Sequence, residues 1–193
     1  AEKMVSDLVR ESHGVLIACY VDPETASYPM AREFCSARQE RYSATLSDGL
    51  MYTPQFVLNG HVDSVGHQRS DVASGIGEIL NDTVLPLVIR PSSEQGVFLI
   101  DLPNVTLPKD VTADVFMMTY RPPYTVPKNL RQSALRPMPL LHVAHRFSPL
   151  GAYSGKAKSI TVSFTPDTDD AGFIVFVQRS DNQIIAAGMY PDK

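Results

Sequence analysis

The chain has 193 residues, and 44% of them are hydrophobic, which suits one or two packed domains and argues against intrinsic disorder. Its formal net charge is −4 and it has no run of basic residues, so its electrostatics do not indicate binding to nucleic acid. No apolar stretch approaches the ~18 residues that a membrane-spanning helix needs. The two cysteines are too few for a disulfide scaffold or a four-thiolate zinc site.

The first part of the chain alternates predicted helices with predicted strands. Apolar residues recur at helical spacing up to Val9, whereas residues 15–21 form the continuous apolar run of a strand that is buried on both faces. Asn59-Gly60 is the strongest two-residue hairpin signal, and we predict that Ser70 caps the next helix. The predicted order is helix, strand, helix, hairpin and helix, over Ala1–Ser12, Val15–Val21, Pro29–Leu46, Phe56–Val65 and Asp71–Leu80.

This order predicts an α/β fold. A strand joined to the next strand by a long helix implies parallel pairing, and the hairpin adds an antiparallel pair. The arrangement is that of the thioredoxin fold without its first strand, so one edge of Val15–Val21 should be left open.

The Thr53-Pro54 bond opens the predicted hairpin, and we predict that it is cis. The alternative is a trans proline that only starts the strand. With a cis bond, Tyr52, Thr53 and Pro54 would line a groove that binds an extended thiol substrate.

Proline divides the chain, because only Pro23, Pro29 and Pro54 belong to the first half. Proline interrupts helices and is frequent at strand ends, so the second half should be poor in helix. Short apolar runs separated by turn signals predict an antiparallel β-sandwich-like domain. We therefore predict a thioredoxin-like domain over residues 1–84 and a β-rich domain over residues 85–193. The predicted strands of the second domain are Leu85–Arg90, Gly96–Asp101, Ala113–Tyr120, Leu140–Phe147, Ser159–Phe164, Gly172–Gln178 and Ile184–Met189.

The two cysteines, Cys19 and Cys35, fall on a predicted buried strand and a predicted helix. A redox pair usually sits at neighbouring positions of a helix N-terminus, where the helix dipole lowers the thiol pKa. We therefore interpret Cys19 as an inert core residue and Cys35 as a residue of a helix face. A disulfide between them is the open alternative.

The histidines give weak metal-site patterns. His61, Asp63 and His67 form one, but such a short set in a hairpin is more typical of a solvated surface. His142 and His145 form another, but on a strand they face opposite sides, so a joint site would need a helix or a bulge there. The sequence has no nucleophile elbow and no phosphate-binding glycine loop. Gly75 and Gly77 lie within a predicted helix, where they indicate close packing. We predict no catalytic residue, no metal and no cofactor for this chain.

The stretch Tyr52–Gly60 (YTPQFVLNG) resembles a motif of a mostly bacterial group of exported proteins of unknown function. The likeness continues through Arg38–Tyr42 and Tyr20–Asp22, and in the second half through Leu141–Gly151 and Gly172–Gly188. The resemblance implies a thioredoxin-like domain followed by a β-rich domain, and a periplasmic or secreted location. It also implies a Cys-x-x-Cys-Pro-Pro motif just before the first helix, which we expect to lie upstream of Ala1.

Two functions remain open at this point. The sequence favours a non-catalytic binding or scaffold protein with a protein partner, because it holds no complete catalytic motif. The alternative is an exported thiol-disulfide oxidoreductase that acts on a thiol substrate through the upstream cysteines. Neither the substrate nor the oligomeric state can be deduced from the residues.

Overall fold

The computed structural model describes residues 15–21, 31–122, 124–125, 139–140, 142–167 and 169–191. The predicted helix Ala1–Ser12 lies outside them. The helices of the described residues are α1 (Glu33–Leu46) and α2 (Arg69–Ile79). The strands are β1 (Gln55–Leu58), β2 (Val62–Val65), β3 (Leu85–Pro86), β4 (Val88–Pro91), β5 (Val97–Leu102), β6 (Ala113–Arg121), β7 (Tyr124–Thr125), β8 (Pro139–Leu140), β9 (Val143–Tyr153), β10 (Lys158–Ser163), β11 (Gly172–Arg179) and β12 (Ile184–Tyr190).

A five-stranded sheet with the order β3-β12-β11-β6-β9 forms the centre of the structure. Its neighbouring strands are antiparallel, except that β3 runs parallel to β12. The central strand β11 is apolar along most of its length because both of its faces are covered. Phe173, Val175 and Val177 point to one face and are fully buried, whereas Phe176 belongs to the apolar cluster of the opposite face.

A three-stranded sheet, β10-β5-β4, packs on one face of the five-stranded sheet. Burial alternates along β5, so that Phe98, Ile100 and Leu102 all point into the shared core. The Phe98 ring lies 5.1 Å from the Phe173 ring and 4.5 Å from the Tyr190 ring, measured between centroids. The two sheets therefore form a β-sandwich-like unit, and each of the predicted strands of the second half corresponds to an observed strand.

The opposite face of the five-stranded sheet is covered by α1. Cys35 of this helix is buried against Met118, Ala144 and Phe176. These contacts join the two halves of the chain. The division into 1–84 and 85–193 stays a prediction.

The predicted hairpin is confirmed as β1 and β2, which form a two-stranded sheet of their own. Asn59 and Gly60 have φ angles of 46° and 81°, the left-handed values that an Asn-Gly turn requires. The Thr53-Pro54 bond is cis, as predicted. The prediction that Ser70 caps the following helix is wrong, because α2 begins at Arg69 and Gln68 is its N-cap residue.

The prediction of an α/β thioredoxin-like domain is also wrong. Residues 15–21 form a single parallel bridge, between Ala18 and Val143, instead of a strand that is buried on both faces. Val15 is 53% exposed and Cys19 is exposed as well, so the apolar run is not buried on both faces. The β1–β2 hairpin and residues 15–21 do not belong to the same sheet. In the part of the chain that the structure describes, the architecture is β-rich with two helices.

Residues 15–21 lie beside β9, at the edge of the five-stranded sheet. The Ala18 amide donates a hydrogen bond to the His142 carbonyl at 2.9 Å, and the Ala144 amide donates to the Ala18 carbonyl at 2.8 Å. The Arg32 amide donates to the Tyr20 carbonyl at 3.1 Å. An edge position needs only one row of ladder bonds, which explains why a short apolar run can stay partly exposed there.

Candidate functional site

An open cleft of about 340 Å³ lies between the β1–β2 hairpin and α2. Its size falls within the range of small-molecule sites. Half of its polar side chains come from one face of α2, and the others come from Tyr52 and from β2. The lining residues are Tyr52, Asp63, Ser64, Val65, Asp71, Ser74, Gly75 and Glu78.

The helix approaches the hairpin closely because of a glycine. A Cβ atom on Gly75 would lie 2.7 Å from Leu58 Cδ1 and from Ser64 Oγ, so a larger residue would push the two elements apart. Val72, on the inner side of the helix, is fully buried. The predicted close packing is thus confirmed for Gly75. It is wrong for Gly77, whose Cβ position has no neighbour within 4 Å.

Tyr52 is held in the cleft by hydrogen bonds of its side-chain hydroxyl group and of its backbone carbonyl group. Its hydroxyl donates to Asp63 Oδ2 at 2.6 Å, and Gln55 Nε2 donates to the same oxygen at 3.0 Å. Gln39 Nε2 on α1 donates to the Tyr52 carbonyl at 2.9 Å. Burial, with the hydrogen bond to Asp63 and the charge of that carboxylate, raises the pKa of Tyr52 to about 12.

Tyr52→Phe is expected to remove a tyrosine that ionises well above the ordinary pKa of 10.0. The folded state holds this proton to a higher pH than the unfolded chain does. The contribution of Tyr52 to the free energy of unfolding is therefore complete below about pH 10 and is lost as the pH rises toward 12. The absorbance titration of the wild type minus that of the variant should have its midpoint near pH 12. In Asp63→Asn the midpoint should move down; a wild-type midpoint at pH 10 would contradict the assignment.

The structure brings only one of the three predicted groove residues into the cleft. Tyr52 lines it, whereas Thr53 and Pro54 are exposed and do not. Sequence reasoning missed the contributions of Asp71 and Glu78. A signal for them exists: positions 71, 74, 75 and 78 repeat with the spacing of one helical face, and all four line the cleft.

The residues of the first histidine pattern lie in two different parts of the structure. His61 lies in the hairpin turn, and its Nε2 is 2.6 Å from Asp82 Oδ2, an oxygen that also accepts from Asn59 Nδ2 at 3.0 Å. Burial would raise the pKa of Asp82, but these two hydrogen bonds and the charge of His61 outweigh it and lower that pKa. Asp63 instead contacts Tyr52. Among the described residues no group of His, Cys, Asp and Glu side chains is arranged to hold a metal ion.

The two histidines of the second pattern have different surroundings. His142 is 9% exposed, with its ring 4.6 Å from that of Tyr120. His145 Nδ1 donates to Asp170 Oδ1 at 2.7 Å, and its Nε2 accepts from Arg121 Nη2 at 3.0 Å. The two partners assign the neutral tautomer with the proton on Nδ1.

The Asp170 carboxylate is fully buried and accepts hydrogen bonds from four groups. Oδ1 accepts from His145 and from Thr119 Oγ1, and Oδ2 accepts from Arg146 Nη2 and from the Asp167 amide. Burial would raise the pKa of Asp170, but these bonds and the charge of Arg146 outweigh it and lower that pKa. Asp170 was not singled out from the sequence, because its partners come from other strands.

Cys19 and Cys35 form a disulfide, with their Cα atoms 5.5 Å apart. The interpretation of Cys19 as an inert core residue is therefore wrong: it is exposed, at the sheet edge. Cys35 does lie on the inner face of α1, where it is 2% exposed. The open alternative, a disulfide, is the correct one.

Segments that are far apart in sequence meet between α1 and the β11–β12 hairpin. The Gln178 side chain is buried there, with 1% of it exposed. Its Oε1 accepts a hydrogen bond from Arg38 Nη1 at 3.2 Å. Its Nε2 donates to Tyr42 Oη at 2.9 Å and to the Asn182 carbonyl at 2.7 Å. A Cβ on Gly60 would collide with that carbonyl. The stretches that carried the family resemblance thus meet in a packing network that joins helix and hairpins.

Fold and cleft together define a β-rich protein with an open, polar cleft between a hairpin and a helix. The chain belongs to the DUF1223 family, because the family model, described as a protein of unknown function, matches residues 1–178. The predicted membership in a family of unknown function is thereby confirmed, whereas its thioredoxin-like character is not.

A crystal structure of an Agrobacterium tumefaciens protein is similar to this chain, with a TM-score of 0.74 and 16% sequence identity. The match covers 97% of this chain and 84% of the other. At this identity the likeness shows the fold alone. No curated protein matches the chain. Neither helix of the described residues is long and apolar enough to cross a bilayer.

Proposed function

We propose that the protein is an exported binding protein whose cleft receives a positively charged group of a partner, such as a lysine or arginine side chain of a protein. The observation that carries the proposal is the lining of the cleft. It holds the carboxyl groups of Asp63, Asp71 and Glu78, with no basic side chain among its described residues. Such a site attracts cations, so the negative charge of the cleft favours partners that present a positively charged group.

The shape of the cleft supports a protruding side chain as the occupant. The cleft is open to solvent, and the hydroxyl groups of Tyr52 and Ser74 line it together with the carboxyl groups. An ammonium or guanidinium group can be hydrogen-bonded by several carboxyl oxygens at once, while its aliphatic stem packs on the side chain of Val65.

The proposed periplasmic or secreted location is supported by the Cys19–Cys35 disulfide. Disulfides persist in oxidising compartments and are rare where thiols are kept reduced. The experiment is cell fractionation of the natural host with an antibody against this chain. Recovery in the cytosol would contradict export.

Glu78→Gln is expected to weaken the binding of a lysine-containing peptide by about two- to five-fold at low salt, because an exposed charge pair contributes about 0.2–1 kcal/mol. Isothermal titration calorimetry at low and at physiological salt measures the effect, which should shrink as salt screens it. Glu94→Gln is the matched control, since Glu94 is also exposed but lies far along the chain in the β4–β5 turn. Equal affinities of the two variants, or no binding by the wild type, would contradict the proposal.

The alternative function, a thiol-disulfide oxidoreductase with a Cys-x-x-Cys motif upstream of Ala1, stays a prediction. Sequencing the gene upstream of the first residue tests it.

A further inference from the structure

We infer that the Cys19–Cys35 disulfide is a thiol-disulfide exchange site, at which a dithiol protein or peptide attacks the sulfur of Cys19. This inference concerns a group that is not part of the cleft lining, and it does not depend on the proposed function. It rests on the unequal exposure of the two cysteines, on the position of Cys35 in α1, and on how the segment around Cys19 is held.

The two halves of the disulfide differ in their surroundings. Cys19 is exposed, whereas Cys35 is 2% exposed and packs against Met118, Ala144 and Phe176. An attacking thiolate must reach sulfur along the line of the bond that breaks, and access decides which sulfur it reaches. The attack is therefore directed to Cys19, and Cys35 is the leaving group.

The leaving group sits in the first turn of α1, which begins at Glu33. The amide groups of a helix N-terminus and the helix dipole stabilise a thiolate there. The apolar neighbours of Cys35 act in the opposite direction, since they favour the neutral thiol. The helix N-terminus thus allows Cys35 to leave as a thiolate, and the apolar neighbours then favour its protonation. The reduced Cys35 therefore remains packed in the core.

The segment around Cys19 is attached to the edge of the five-stranded sheet. Besides the disulfide, its described contacts include two backbone hydrogen bonds of Ala18 and one of Tyr20, and Ile17 and Val21 pack against the apolar cluster around Cys35. The β-sandwich core does not depend on these bonds. Opening the disulfide should therefore change the edge segment and leave the sheets in place.

The exchange is balanced as two steps. A thiolate of the partner forms a bond to Cys19 Sγ as the Cys19–Cys35 bond breaks, and the electron pair leaves on Cys35 Sγ, which takes a proton from water. The second thiol of the partner, deprotonated, then attacks the partner sulfur of this mixed disulfide and releases Cys19 as a thiolate. The partner is oxidised from a dithiol to a disulfide, and the Cys19–Cys35 pair is reduced by two electrons.

The test follows reduction of the folded wild-type chain by dithiothreitol, with alkylation and mass spectrometry as the readout and circular dichroism as the measure of folding. We expect complete reduction without denaturant and with the β-sheet signal unchanged. Reduction only at denaturant concentrations that unfold the chain would overturn the inference, because the disulfide would then be a closed structural link.

Two variants identify the attacked sulfur. In Cys35→Ser, the remaining Cys19 should form a mixed disulfide with oxidised glutathione at least ten-fold faster than Cys35 does in Cys19→Ser. Equal rates, or a faster reaction of Cys35, would overturn the assignment. Because a variant can fail to fold, the same order is checked in the wild type by partial reduction, where the trapped mixed disulfide should lie on Cys19.

Discussion

Asp170→Asn is expected to lower the free energy of unfolding by about 2–3 kcal/mol, because it leaves donors that face the buried carboxylate without an acceptor. All four groups that contact the carboxylate are donors, from His145, Thr119, Arg146 and the Asp167 amide. An asparagine side chain has only one acceptor oxygen, so in either orientation its amide group faces donors. Urea unfolding measures the change.

Asp169→Asn is the matched control, since that neighbouring side chain is 63% exposed and lies 3.5 Å from Arg121. It should change the free energy of unfolding by less than about 1 kcal/mol. The pKa of Asp170 is lowered in the folded state, so its contribution is present above the ordinary value of 3.8 and is lost as the pH falls through the lower, folded value. The difference between wild type and Asp170→Asn should therefore shrink below about pH 4. Equal effects of the two variants at neutral pH would contradict this account.

Gln178→Leu is expected to cost about 2–4 kcal/mol, although leucine has a similar volume and is more apolar. The substitution leaves the Asn182 carbonyl without the amide that donates to it, and it removes the oxygen that accepts from Arg38 Nη1. The Tyr42 hydroxyl keeps the hydrogen bond from Arg38 Nη2 and loses the one from Gln178. Each buried group that loses its partner costs about 1–3 kcal/mol. Denaturant unfolding gives the size of the effect, and hydrogen exchange in α1 shows that the contact between helix and hairpin is the one that weakens.

Gln183→Leu, in the same hairpin, is the control. Gln183 is only partly buried, and its side chain accepts one hydrogen bond, from Arg179 at 2.8 Å. Its loss should cost less than about 1 kcal/mol. If the two leucine variants were equally stable, the buried network would not be what joins α1 to β11 and β12.

Local features of this fold could be predicted from the sequence. The Asn59-Gly60 turn, the cis bond before Pro54 and the strands of the second half each depend on residues that are close together along the chain. Turn chemistry and hydrophobic period act over a few residues, so they can be read without knowing the fold.

Features that depend on distant residues could not be predicted. The run Val15–Val21 has the composition of a buried strand, and its place at a sheet edge is decided by its pairing with Val143. The helix around Cys35 brings that residue to Cys19, which spacing alone left open. Because we interpreted Val15–Val21 as a strand buried on both faces, the thioredoxin-like order followed from it and was wrong.

The candidate site also combines a residue that could be predicted from a local motif with residues that belong to the site only through long-range contacts. Tyr52 was found from a local motif, whereas the carboxyl groups opposite it lie on α2 and belong to the site only because Gly75 lets that helix approach the hairpin. Their helical spacing was available in the sequence. What the sequence did not show was which side of α2 faces solvent and which faces β2.

The partners of α1 have a consequence for how the newly made chain folds. Arg38 and Tyr42 bond to Gln178, which follows them by 140 and 136 residues. During synthesis the ribosome therefore releases α1 long before the strand on which it docks has been made. Such high contact order slows folding. For the export proposed above, this delay would be useful, because the export machinery would receive a chain in which the β11–β12 hairpin has yet to dock on α1.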